Sequence, residues 1–136
     1  MIIKLTKKVL FLCLIVTTLN AKNETIETSG DIIQILIPLG AYGTTYYLDD
    51  TDGRIQFYKS FSSTVLLTHT LKYTVKEERP NGNDTNSFPS GHTSAAFQGA
   101  SFIHYRYGFK KAILPYIGAS FVAYSRVYSK QHYFHD

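Results

Sequence analysis

The chain has 136 residues, 44% apolar and 18% charged, with Tyr (11) and Phe (9) abundant and Trp absent; that excludes more than one domain and excludes a disordered chain. Its formal charge of +4 falls to +1 without residues 1–21, which hold Lys4, Lys7 and Lys8, so no basic face suited to nucleic acid remains. The single cysteine, Cys13, excludes an internal disulfide and a cysteine metal site.

Residues 1–21 carry the three parts of a secretory signal. The lysines form a basic start, Val9 to Leu19 an apolar run of 11 residues, and Asn20-Ala21 a small-residue cleavage position. The run is short for a membrane span, so a cleaved leader is expected, with an N-terminal anchor as the alternative. Residues 22–30 read as a polar linker, and residues 31–136 as the functional domain.

Asp31 has the character of a helix cap, opening a first helix that runs to about Leu48 with Ile32, Ile33, Ile35, Leu36 and Leu39 on a broad apolar face. Pro38 and Gly40 should bend it. The acidic stretch Asp49 to Gly53 lacks the spacing and closing Glu of a calcium loop, and reads as a solvated turn. A second helix is expected from about Ile55 to Glu78, stopped by Arg79-Pro80. Asn81 to Ser87 is a polar loop. A third helix opens near Ser90-Gly91-His92 and runs to Tyr107, where Gly108 stops it. Its Ala95, Ala96, Gly99 and Ala100 allow close packing. A fourth covers about Lys111 to Val127, and a fifth begins around His132 and is cut off after five residues. The expectation is an all-α fold.

Three short segments carry the chemistry: Lys72 with Arg79-Pro80, then Pro89-Ser90-Gly91-His92, then Ser125-Arg126 with His132 and Asp136. A phosphomonoester needs fixed positive donors, an in-line nucleophile and an acid for the leaving oxygen. Arg79 and Arg126 are permanent guanidinium clamps, each able to hold two oxygens. Lys72 adds a compact charge two helical turns before Arg79, which would put both on one face of the second helix. Ser90 and Gly91 precede a helix start whose free amides favour an anion.

His132 and Asp136 stand four apart, so in a helix the carboxylate can receive one imidazole N–H and leave the other nitrogen to attack. His132 is therefore assigned as nucleophile, and His92 as general acid and then base. The cations supply the charge stabilisation, so neither metal nor cofactor is called for. His132, His135 and Asp136 lack a clear further set of metal ligands. His69 and His104 lie in apolar helical patterns and read as structural.

The ordered pattern K-x6-R-P, P-S-G-H and S-R-x5-H-x3-D is complete and resembles that of the type 2 phosphatidic acid phosphatase superfamily, which also contains bacterial non-specific acid phosphatases and vanadium-dependent haloperoxidases. The resemblance covers residues 31 to 136. It implies a helical bundle whose last helix is missing here, and metal-independent hydrolysis of phosphate monoesters. Carried over by position, it implies that Lys72, Arg79, Ser90, Gly91, His92 and Arg126 hold the phosphate, that His92 protonates the leaving group, that His132 attacks and that Asp136 supports it. The export signal, the aromatic-rich helices and the close-packing small residues lead to a membrane lipid phosphate as the expected substrate, with membrane association, in a bacterial cell envelope at the periplasm or the periplasmic side of the inner membrane. The alternatives are a soluble periplasmic phosphatase of broad specificity, a vanadate-binding haloperoxidase, and a non-catalytic fragment in which residues 132–136 are too few to hold a helical register.

Overall fold

The computed structural model describes the backbone of residues 2–136 and the side chains of residues 24–136. The side chains of the expected leader, with Cys13 and the cleavage position, lie outside the described residues. Four helices follow in order: α1 (Ile2–Tyr47), α2 (Thr51–Val75), α3 (Gly91–Tyr107) and α4 (Phe109–Tyr128). No strand occurs among the described residues, and the expected all-α class holds.

The helix limits have local causes. Asp50 caps α2 by accepting from the Gly53 amide at 2.9 Å, and Lys76, in the left-handed region at φ 53°, ends it. That stop falls before Glu78, so Arg79 belongs to the following loop and not to the face of α2 expected from its spacing. Ser90 caps α3 and Gly108, at φ 94°, closes it, as the turn chemistry predicts.

Two other expectations fail. α1 runs continuously through residues 22–30, and Asp31 lies inside it rather than capping it. Tertiary contact overrides the polar composition there, because Gly30 packs against Ser125: a Cβ built on Gly30 would sit 2.0 Å from the Ser125 Oγ. Residues 131–136 form turns and not a fifth helix. Lys130, at φ 56°, folds the chain back so that the amides of Gln131 and His132 both donate to the Arg126 carbonyl, at 2.9 and 3.2 Å.

The core has two parts. Phe57, Phe102, Ile103, Ala41 and Ala112 form one cluster, and Ala96, Ala100, Ala119 and Val122 form the other. The second is built of small residues, which brings α1, α3 and α4 close. At Gly99 a Cβ would lie 2.9 Å from the Pro38 backbone, so only glycine permits that crossing. The broad apolar face expected on α1 divides: Ile33 and Ile37 pack on the core, whereas Ile32, Ile35, Leu36 and Leu39 are exposed. Among the described residues, no helix is long and apolar enough to cross a membrane.

Candidate active site

The site forms where the N-terminus of α3, the loop after α2 and the turn after α4 converge. His132 is buried, and its Nδ1 lies 3.0 Å from the Asp136 Oδ2. The same oxygen accepts the Ser87 hydroxyl and the Tyr133 amide at 2.9 Å. The pairing foreseen from the four-residue spacing is therefore made by a turn, and the loss of register expected without a helix does not occur. Burial works to raise the Asp136 pKa, but the Ser87, Tyr133 and His132 contacts outweigh it and hold the carboxyl below its ordinary range. The His132 pKa is lowered, first by burial and then by Arg79 and Lys72, against the opposing pull of Asp136. A neutral imidazole with Nδ1 engaged keeps Nε2 as the available nitrogen.

The cations are held by other protein groups. Lys72 Nζ donates to the carbonyls of Asn86 at 2.6 Å and Ser87 at 3.3 Å. Arg79 pairs through Nε with Asp84 at 2.7 Å and donates through Nη1 to the Gln131 Oε1 at 2.9 Å. Arg126 is 4% exposed, and all its nitrogens are engaged. Nε faces the Ser125 hydroxyl at 3.3 Å, Nη2 donates to the Glu27 carbonyl at 2.8 Å, and Nη1 meets the Asp31 Oδ1 at 2.9 Å. Glu27 also receives the Gln131 amide at 3.1 Å, so one turn of α1 orients both guanidinium groups.

Ser90 is buried at the head of α3, where Gly91 and His92 are the first helical residues and lack preceding helical carbonyls for their amides. The Ser90 amide donates to the Asp136 carbonyl at 3.1 Å, which ties the helix start to the chain end. His92 presents Nε2 to the Asp31 Oδ1 at 3.1 Å. Its pKa is lowered by burial and by Arg126 and Arg79, while Asp31 pulls it upward.

Ser90, Arg126, His132 and Asp136 line one cavity of about 380 Å³, with Phe97, Ala123, Tyr124, Val127, Tyr133 and Phe134 as its apolar walls. A more open cleft of about 510 Å³ between α2 and α3 includes Arg106, but that guanidinium is already paired with Asp50 at 2.7 and 2.5 Å. His104 contacts the Tyr116 hydroxyl at 3.2 Å, a structural role. Beside the site, His135 pairs with Glu77 at 2.9 Å, and these two with Asp136 bring three possible ligand atoms within 4.8 Å.

The sequence reading missed Asp31, Glu27, Gln131 and Ser87. Only Asp31 carried a signal, as an acid directly after glycine, and that signal also fits a helix cap.

Arg126 and Arg79 act on the His92 imidazole, and Arg79 and Lys72 on that of His132, while Lys72, Arg79 and His92 do not line the cavity shared by Ser90, Arg126, His132 and Asp136. The chain belongs to the PAP2 superfamily, whose pattern matches residues 55–136. It is 38% identical over 68 residues to a lipid A 1-phosphatase of Porphyromonas gingivalis, covering 48% of this chain and 15% of that protein. It is 45% identical over 56 residues to a lipid A 4'-phosphatase of Helicobacter pylori, covering 40% of this chain and 28% of that one. The matched stretches span less than a third of either relative's length. No solved structure matches the chain.

Proposed function

We propose that this chain carries the catalytic centre of a metal-independent phosphatase that hydrolyses a membrane lipid phosphate through a phosphohistidine. The observation that carries the reading is His132: buried, paired through Nδ1 with Asp136, and opening on a cavity with largely apolar walls.

In the proposed reaction the His132 Nε2 attacks phosphorus in line, and the ester P–O bond breaks. The leaving oxygen takes a proton from His92. Water then attacks phosphorus as His92 accepts its proton, the P–N bond breaks, and phosphate leaves with Nε2 regenerated. Lys72, Arg79, Arg126 and the first amides of α3 stabilise the equatorial oxygens throughout. The apolar walls suit the hydrocarbon part of a lipid, and the lipid A phosphatases among the relatives support that substrate class. The exposed Ile32, Ile35, Leu36 and Leu39 of α1 suit membrane association. The proposed location is the periplasmic side of a bacterial cell envelope. A released periplasmic enzyme of broad specificity is the second reading, favoured by the leader-like residues 1–21.

The test is phosphate release from a phospholipid monoester in mixed micelles, compared with a water-soluble monoester. An acid-labile, alkali-stable phosphoenzyme should be trapped in the parent chain and be absent from His132→Ala. Equal turnover by His132→Ala would overturn the mechanism. A preference for the soluble ester, with full release of the protein by carbonate washing, would favour the second reading.

A further inference from the structure

We infer that Asp31 of α1 is a positioning residue for the proposed phosphatase chemistry, holding His92 and Arg126 in register through one shared carboxylate oxygen. The inference rests on the phosphatase reading, and one arm of its test does not.

The geometry is specific. The Asp31 Oδ1 is 2.9 Å from the Arg126 Nη1 and 3.1 Å from the His92 Nε2. One partner is the proposed general acid and the other a proposed phosphate clamp, and they come from different helices. Arg126 is almost fully buried, whereas the Asp31 side chain is 47% exposed. The Oδ1 that faces both partners is nevertheless itself buried. Its placement is fixed by Gly30, whose contact with Ser125 admits no larger side chain without movement.

Two effects follow. A negative charge beside His92 favours the imidazolium, the form a general acid requires. The charged groups acting on His92 are Arg126 from α4 and Arg79 from the loop after α2, both opposing protonation, and Asp31 from α1, favouring it. Asp31 also supplies the counter-charge beside the Arg126 Nη1.

The sign is determined. Removing the Asp31 charge leaves His92 with burial and two cations, so its pKa falls further. A general acid is lost as pH rises through its pKa, so the alkaline limb of kcat/KM moves to lower pH. Each unit of that movement costs about tenfold in kcat/KM on the alkaline side, while the acidic side changes little. Inorganic phosphate binding should change little, since Arg126 keeps its contacts with Ser125 and the Glu27 carbonyl.

The experiment compares the parent with Asp31→Asn, Asp31→Ser and Asp31→Glu. His92 is titrated by imidazole NMR, phosphate binding is followed by calorimetry, and kcat/KM is measured across pH. Asp31→Asn and Asp31→Ser should lower the His92 pKa and shift the alkaline limb down, and Asp31→Glu should restore both. An unmoved His92 titration overturns the inference, even if the chain proves inactive on every phosphate ester. A uniform loss of activity at all pH values, with a lowered melting point and weaker phosphate binding, also overturns it, because that pattern marks a merely structural residue.

Discussion

Gly30→Ala should destabilise the fold, although alanine is the better helix former. The new Cβ would stand 2.0 Å from the Ser125 Oγ, 2.8 Å from the Ser125 Cβ and 3.2 Å from the Arg126 Nη2. Ordinary carbon contacts lie near ~3.5–4.0 Å, so rotating the hydroxyl does not relieve the clash, and either α1 or the end of α4 must move. Ser125 is fully buried, and its hydroxyl is committed to the Val122 carbonyl at 2.7 Å, which resists that movement. Overpacking of this kind costs about 1–3 kcal/mol, offset by about 0.5–1 kcal/mol of helix propensity. A net loss of about 1–2 kcal/mol lowers the melting temperature by roughly 2–8 °C at this chain length. Gly40 in the same helix is the control, since its Cβ would meet nothing within 4 Å; Gly40→Ala should raise stability by about 0.5–1 kcal/mol. The assay is thermal unfolding followed by circular dichroism. If both variants melt alike at or above the parent, the close approach of α1 to α4 is wrong, and with it the placement of Asp31.

Asp136→Asn should lower kcat/KM by about 10²–10⁴, because a neutral amide no longer supplies the negative charge that favours positive charge on the His132 ring; Ser87→Ala should cost about tenfold. Phosphate-release kinetics check both, and a parent-like rate in Asp136→Asn would remove the carboxylate from the reaction. Stability should fall as pH drops below ~6.5, the unfolded histidine value, because the folded pKa values of His92 and His132 are both lowered. The unfolded chain then binds more protons, and stability is lost from that point down to the folded values. Urea midpoints at several pH values test this, and His132→Gln should flatten the dependence.

The helix ends that obey short-range chemistry were legible in the sequence. Ser90 and Gly108 bracket α3 as capping rules require. The His132–Asp136 pair was also legible, although a helix was expected for it: four-residue spacing serves equally a turn closed by the Asp136 amide on the Tyr133 carbonyl. What escaped the reading depends on contacts across the chain. Residues 22–30 have a linker's composition, and their helix is held by packing that joins Gly30 to Ser125. The role of Asp31 depends on the same contact, for a local pattern cannot tell a cap from an ion pair with Arg126, 95 positions further on. Arg79 reaches the site from a loop because Lys76 ends α2 early, and a left-handed lysine leaves no clear mark in composition.

The pairing of Arg126 bears on where this protein can be cut. The stretch matching the superfamily starts at residue 55, yet Glu27 and Asp31 hold two of the three guanidinium nitrogens of Arg126. A trimmed protein beginning at that boundary would keep every motif residue and lose the shelf that orients Arg126 and, through Gln131, Arg79. It would also leave a buried cation without its counter-charge. The smallest unit that keeps Arg126 paired therefore begins upstream of Glu27, and the motif span understates it by a whole helix.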